Sequence, residues 1–284
     1  MNSAQRAFKK LTIILIVLSV LLGVGYLIFK PETPKCQNGI KDVGEDGVDC
    51  GGFCEKACPV PDKPEGVNDI RINWTQFVED KANVYDFVAS ISNDNTSWGV
   101  QSVRYVFTYY DASGNKLGTR EGTTFIMPRG DGSDQSIKYL IEENVESNIA
   151  INRVDLNLSN FVWKQAEGET AVANMNEDII EIQDPKFEMN TALKSYAVTG
   201  RTKNTSIYDF KRVDVNAVIF GPEGQLLAAG KYDQWTMIAG DGWGIQILFP
   251  NLKGKVSDVA SLDVKAETNV FDENNLMKDY RSNE

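Results

Sequence analysis

The chain contains no histidine, and this absence removes several kinds of chemistry at once. Without imidazole there is no Ser-His-Asp triad, no histidine metal ligand and no imidazole acid or base. Thiols are almost as scarce, because all four cysteines lie between Cys36 and Cys58. The carboxylates, serines, lysines and tyrosines that remain form no recognisable catalytic motif. The sequence therefore predicts a protein that is not an enzyme.

Charged side chains are missing from the whole of the apolar run Leu11–Phe29. At about 1.5 Å per residue, a helix of this length spans roughly 28 Å, close to the hydrocarbon thickness of a bilayer. Residues 1–30 contain four basic residues and no acidic residue. The positive-inside rule then keeps residues 1–10 in the cytoplasm and places the rest of the chain outside. Because no small-residue cleavage site follows, we expect an uncleaved single-pass anchor in the cell membrane.

Beyond residue 30 the chain is strongly acidic, since its 25 basic and 40 acidic residues give a net charge of −15. Nucleic acid requires clustered positive charge and is excluded as the main partner. The acidity itself is explained by the solubility of an exposed protein. A protein or a cell-wall glycan remains as the expected partner. Ser19 and Gly23 would allow two helices to approach closely, so the oligomeric state stays open.

The cysteines predict a small disulfide knuckle next to the membrane, formed by Cys36, Cys50, Cys54 and Cys58. Outside the cytoplasm, four clustered cysteines form two disulfides, for which three connectivities are available. So short a segment cannot bury a useful apolar core and needs cross-links. Zinc bound by four thiolates is the alternative, although such sites usually have a longer spacer between two cysteine pairs. Flanking prolines make residues 30–68 a stiff stalk.

Oxygen-bearing side chains separated by glycines lie between the first two cysteines: Asn38, Asp42, Glu45, Asp46 and Asp49. Hard oxygen ligands on a turning backbone suit Ca²⁺. The spacing differs from that of an EF-hand, and the alternative is a solvated glycine-rich loop. A calcium ion here is the single cofactor that the sequence suggests.

The segment from Cys36 to Cys54 resembles a short module of surface and secreted proteins in bacteria and archaea. The shared pattern places Asn-Gly soon after the first cysteine and Asp-Cys-Gly-Gly-x-Cys at the end, although the spacing to Cys58 is one residue longer than usual. The resemblance implies an exported prokaryotic protein. Some members resemble thrombospondin-type calcium repeats, which agrees with the calcium prediction.

The rest of the chain repeats with a period of roughly 110 residues, which indicates a duplicated domain. Several pairs of segments match in the same order: Tyr85–Asn93 with Tyr196–Asn204, Gly114 with Gly224, and residues 130–132 with residues 240–242, both Gly-Asp-Gly. The predicted boundaries are 69–164 for the first copy, 165–176 for a linker, 177–275 for the second copy and 276–284 for a C-terminal tail.

Each copy is predicted to form antiparallel β structure. Apolar and other residues alternate from Val103 to Tyr109 and from Val213 to Ile219, and turn residues follow both segments. Short strands with turns in about 100 residues per copy favour a β-sandwich. Residues 137–146 are predicted to hold a short helix or a loop.

Both copies resemble the Ig-like extracytoplasmic domains of the FxLYD type. The residues that carry this resemblance are Gly200–Asn204, Val213–Phe220, Gly224, Gly240–Gly242 and Ile245–Phe249. The first copy matches less closely, with Ser90 to Asn93 lacking the glycine. The resemblance implies two tandem Ig-like β-sandwiches in a surface or envelope protein, which makes the part outside the membrane an all-β ectodomain.

Tryptophans beside polar or glycine-rich turns are the candidate binding residues: Trp98, Trp235 and Trp243. Trp74 and Trp163 are expected to pack in the fold, and Asp131 and Asp241 to serve their turns. The sequence thus predicts a membrane-anchored binding or scaffold protein of the prokaryotic cell envelope. The alternatives are an accessory subunit of an export, pilus or division machine and, with less support, a carboxylate-based hydrolase.

Overall fold

The computed structural model describes Ser19 and residues 36–42, 44–45, 48–56, 63–129, 137–166, 179–252 and 258–277. The chain divides into two compact units, residues 1–59 and 60–284. Within the described residues, no helix is long and apolar enough to cross a membrane. The predicted anchor, apart from Ser19, lies outside these residues, as do residues 1–10 and residues 167–176 of the predicted linker.

The unit of residues 60–284 is built from β-strands, as the sequence predicts. Its strands are β1 (Arg71–Lys81), β2 (Val84–Ser92), β3 (Trp98–Tyr110), β4 (Lys116–Ile126), β5 (Ile137–Glu146), β6 (Arg153–Gln165), β7 (Ile180–Asn190), β8 (Ser195–Asn204), β9 (Phe210–Phe220), β10 (Leu226–Met237), β11 (Gly242–Phe249) and β12 (Ser261–Glu267).

In the part of the chain that the structure describes, the strands form four antiparallel sheets of three strands each, and the same pattern occurs twice. In the first half, strands β1–β6 give the sheets β1-β2-β5 and β4-β3-β6. In the second half, strands β7–β12 give the sheets β7-β8-β11 and β10-β9-β12. Every strand of the second half therefore has the position that the strand six places earlier has in the first half.

The core of each half lies between its two sheets. In the first half, Phe87 of β2 packs with Phe107 of β3, and neither is accessible to solvent. In the second half, Val198 of β8 and Ala217 of β9 occupy the same positions and are equally buried. Because successive side chains of a strand point to opposite faces, the alternation in β3 and β9 sends these residues inward.

A buried asparagine at the end of β2 fixes the corner where the chain leaves one sheet for the other. The Asn93 side-chain amide donates to the backbone carbonyls of Trp98 at 2.8 Å and Met127 at 2.9 Å. Its side-chain carbonyl accepts the backbone N–H of Asn95 at 3.0 Å. One side chain thus ties together the ends of three strands.

Asn204 makes the equivalent set of bonds at the end of β8. Its amide donates to the carbonyls of Tyr208 at 2.7 Å and Met237 at 3.2 Å, and its carbonyl accepts the N–H of Ser206 at 3.0 Å. These three partners stand at the positions that match the three partners of Asn93 when the two halves are aligned. A buried amide with all of these partners stabilises its corner, and an apolar residue would remove its bonds to the two carbonyls and the N–H.

The expectation of a helix or loop at residues 137–146 is wrong, because this segment is strand β5. It pairs with β2 through Leu140 and Ile141, which stand opposite Ala89 and Val88. The strand lacks a regular alternation of apolar and polar residues because the second half covers its outer face. Only Tyr139 to Ile141 form the short run of large side chains that is typical of a strand buried on both faces.

The two halves pack against each other through a third apolar cluster. It joins Val88 and Ile141 of the first half to Val218 and Ala229 of the second. Trp74 lies edge-on to Phe220 across the same contact. All nine residues of β2 are buried as a result, since one face of the strand meets the first core and the other meets the second half.

Polar bonds accompany this apolar contact between the halves. Lys138 forms an ion pair with Glu267, with only 4% and 11% of their side chains exposed, and its ammonium lies 4.1 Å from the centre of the Phe125 ring. The Tyr139 hydroxyl donates to Asp263 at 2.7 Å. Buried charges require such partners, so these bonds fix the relative position of the two halves.

Candidate functional site

In the knuckle, two predicted calcium ligands bind backbone N–H groups. The two carboxylate oxygens of Asp49 accept the N–H groups of Asn38 and Gly39, both at 2.7 Å. One oxygen of Glu45 accepts the N–H groups of Asp42 and Asp49, both at 3.1 Å. The carboxylates therefore hold the loop in place without an ion, and hydrogen bonds to ionised groups are the stronger kind.

Glycines are required beside these carboxylates. Gly52 has a φ of +57°, and a Cβ at this position would lie 1.9 Å from the Gly44 carbonyl oxygen. Gly44 itself has a φ of +98° and lies against the Phe53 ring. The glycines of the knuckle pattern thus serve close backbone packing and left-handed conformations.

The cysteine prediction is confirmed for one pair: Cys36 and Cys54 form a disulfide with Cα atoms 5.6 Å apart. Cys50 is disulfide-bonded as well, and Cys58 lies outside the described residues. The pair in the disulfide cannot act as zinc thiolates.

Of the described residues, only Cys36, Glu45 and Cys54 bring three metal-ligating side chains together. Two of the three ligand atoms belong to the disulfide, so the group offers a metal a single carboxylate. Calcium binding by the knuckle stays a prediction; Asn38 and Asp42 bond each other at 3.0 Å, and Asp46 lies outside the described residues.

The structure places the three candidate tryptophans differently. Trp235 on β10 is 63% exposed and Trp243 on β11 is 48% exposed, whereas Trp98 is half-buried at the start of β3. Trp163 packs against the first core and stacks on Phe161, as expected. Asp241 is exposed in the turn after β10, and Asp131 lies outside the described residues.

Trp235 lines an open cleft of about 700 Å³ between the two halves. Neither Trp98 nor Trp243 belongs to the described lining of this cleft. The other lining side chains are mostly amides and hydroxyls, among them Gln101, Thr123, Thr124, Asn269, Asn274 and Asn275. An exposed indole beside many neutral polar groups offers both a stacking surface and directional hydrogen bonds.

Arg212 is the cation that lies over the indole, with its guanidinium carbon 5.7 Å from the centre of the Trp235 ring. It donates to Asp214 at 2.6 Å and lies 3.3 Å from Asp233. These carboxylates raise the pKa of Arg212 above its ordinary value, although partial burial acts in the opposite direction. The described lining contains two cations, Lys211 and Arg212, and two carboxylates, Asp214 and Asp272, so it has no net charge and suits an uncharged ligand.

The wall of the cleft is held by hydrogen bonds across the junction of the halves. The Asn269 amide donates to the Gln101 carbonyl at 3.1 Å, and the Gln101 amide donates to the Phe271 carbonyl at 3.1 Å. Asn275 donates to Thr268 at 2.7 Å and to the Asn269 carbonyl at 3.0 Å. No sequence pattern marks these residues, because residues 101 and 269 meet only when the halves pack. Trp235 is the one member of the lining that sequence reasoning detects.

A second, smaller cavity of about 150 Å³ lies at the same junction and contains acidic side chains. Burial raises the pKa of Asp86 to about 6, and the nearby charges of Asp80 and Glu143 act in the same direction. Burial also raises the pKa of Glu143. The Asn144 N–H, 2.9 Å from Asp86, opposes the shift. A buried carboxylate of this kind is more easily protonated than an exposed one.

No family model matches the chain, and no curated protein matches it. Among solved structures, a crystal structure of Bacteroides uniformis β-glucuronidase is similar over 62% of this chain and 22% of its own, with 16% identity and a TM-score of 0.19. The β-glucuronidase 2 of the same organism, covalently bound to cyclophellitol-6-carboxylate aziridine, matches 66% of this chain and 26% of its own, with 14% identity and a TM-score of 0.17. The chain thus spans about a quarter of the length of these proteins, and TM-scores this low do not indicate a shared fold.

Proposed function

We propose that this chain is a single-pass, membrane-anchored binding protein of the prokaryotic cell envelope, that it is not an enzyme, and that it binds an uncharged glycan in the cleft around Trp235. The exposed indole at the edge of this cleft is the observation that carries the proposal. Sugars present C–H faces to aromatic rings and hydroxyls to polar side chains, and this lining supplies both. The balanced charges of the lining favour a ligand without net charge.

The anchor and the domain type belong to the same proposal. The uncharged run Leu11–Phe29 supports a membrane span with the body of the protein outside. The repeated strand order and the equivalent bonds of Asn93 and Asn204 support two tandem Ig-like domains of the FxLYD type. An anchored pair of such domains would hold the cleft at the cell surface.

Titration of the full chain in mild detergent with soluble fragments of envelope glycans tests the proposal. We expect a change in tryptophan fluorescence on binding and at least about fivefold weaker binding by Trp235→Ala, since stacking on an aromatic ring contributes on the order of 1 kcal/mol or more. Trp243→Ala is the matched control, because Trp243 is also exposed but lies outside the cleft lining. Absence of binding, or equal binding by Trp235→Ala and the wild type, would contradict the proposal.

A further inference from the structure

Strand β11 lies at the edge of its sheet and, among the described strands, is hydrogen-bonded to β8 alone. Each of the four sheets has three strands, so eight of the described strands are edges. An edge strand presents unpaired N–H and C=O groups that can bind another strand.

The other seven edge strands each carry at least two charged residues. Strand β7, on the far side of the same sheet, also has Pro185 within an irregularity of its pairing. Charged residues, proline and bulges are the means by which proteins protect edges from pairing. Strand β11 reads Gly-Trp-Gly-Ile-Gln-Ile-Leu-Phe and has no charge and no proline.

The surface of β11 is also accessible. Trp243 is 48% exposed and Leu248 is 44% exposed. A Cβ placed on Gly244 would meet no atom within 4 Å, so the strand is open at this point. Toward its end, Leu248 and Phe249 approach the first half at the small acidic cavity. The segment from Gly242 to Ile247 is therefore the accessible part.

We propose that β11 pairs antiparallel with β11 of a second copy of this chain and thereby joins two three-stranded sheets into one. In antiparallel self-pairing about a two-fold axis, a charged residue near the axis lies opposite its own copy, and the two repel each other. Strand β11 has no charged residue, so this repulsion does not arise in any register. Self-pairing also places Trp243 beside the C-terminal part of the partner strand and covers its exposed ring.

Sedimentation of the full chain in mild detergent, without glycan, tests this inference independently of the proposed function. We expect a dimer of two 31.6 kDa chains, with hydrogen exchange of the β11 amides slowed as the protein concentration rises. Gln246 is exposed on β11, so Gln246→Lys adds a charge to this strand without burying an ammonium group in the monomer. This variant should dimerise about tenfold more weakly or worse and lose the protection of β11.

Gln183→Lys, on the protected edge β7 of the same sheet, is the matched control and should dimerise like the wild type. The thermal unfolding of both variants shows that they are folded. A monomeric wild type, a dimer whose β11 amides stay unprotected, or a Gln246→Lys dimer of undiminished strength would each overturn the inference. The protection of β11 separates this contact from one made by the N-terminal apolar segment.

Discussion

The sheets β1-β2-β5 and β7-β8-β11 have the same construction but different surroundings: the second half covers the outer face of the first sheet, while the outer face of the second sheet is polar and accessible around Thr199 and Gln246. On the covered face Val88 stands opposite Ile141. The positions with the same pairing in the second half are Thr199 and Gln246. Since backbone and register agree, the presence of a neighbour accounts for the difference in polarity.

The other two sheets show the reverse arrangement. Val218 pairs with Ala229 on the sheet of the second half that meets the first half. The equivalent pair in the first half is Thr108 with Thr119, on a face that the second half does not cover. Each half thus offers one apolar outer face, and the two faces come from different sheets.

Val88→Lys should lower the free energy of unfolding more than any other substitution considered for these faces. The side chain is fully buried against the second half, so an ammonium there would lose its hydration without gaining a partner. We expect a loss of about 3–5 kcal/mol in the free energy of unfolding. Urea unfolding followed by tryptophan fluorescence measures it, since Trp74 lies in the contact.

Thr199→Lys is the matched control at the duplicated position. Thr199 is only partly buried on the open face, so the same substitution should change the free energy of unfolding by about 0.5 kcal/mol or less. Equal losses in the two variants would show that the neighbouring half does not determine what these positions tolerate.

Asn93→Ala and Asn204→Ala test a feature that the two halves share, because these residues make equivalent hydrogen bonds in both halves. Each substitution leaves two backbone carbonyls and one N–H without their partner. We expect each to cost about 2–4 kcal/mol in thermal unfolding. Asn157→Ala, at an exposed position of β6, should cost little. A large effect at only one of the two corners would contradict their equivalence.

Local patterns were sufficient to predict the strands that are buried on one face. Val213 to Ile219 alternates because β9 has a core side and an outer side. Gly114 and Gly224 mark turns whose φ angles, +81° and +75°, favour glycine. The disulfide of the knuckle was likewise predictable from cysteine spacing and compartment.

Contacts between distant segments could not be predicted in this way. Residues 137–146 lost their alternation because of a domain whose first strand, β7, begins only at Ile180. The lining of the cleft depends on the meeting of residue 101 with residue 269, which leaves no local signal. Trp235 was detectable only because its neighbours in the sequence are polar.

Asp86→Asn gives the smallest expected effect. Asp86 is the one carboxylate of β2, and it is buried like the rest of the strand. Its pKa is about 6 in the folded chain against an ordinary 3.8. The folded state therefore binds this proton more tightly than the unfolded state, so stability falls as the pH rises from about 4 to 6 and stays low above that range. Asparagine keeps an acceptor for the Asn144 N–H and removes the charge. The variant should gain about 1–3 kcal/mol at pH 7 and almost nothing at pH 4.

The exposed Asp111 supplies a control of opposite sign. Hydrogen bonds from the Asn115 side chain and backbone lower its pKa, so its ionised form favours the folded state. Asp111→Asn should therefore lower stability at pH 7 and have less effect at low pH, where the carboxyl is protonated in both states. Thermal unfolding of both variants between about pH 2 and pH 7 measures the two slopes, that of Asp86 above about pH 4 and that of Asp111 below it. If Asp86→Asn stabilised the protein equally across this range, packing and not the buried charge would explain the gain, and the covered face would tolerate Asp86 without cost.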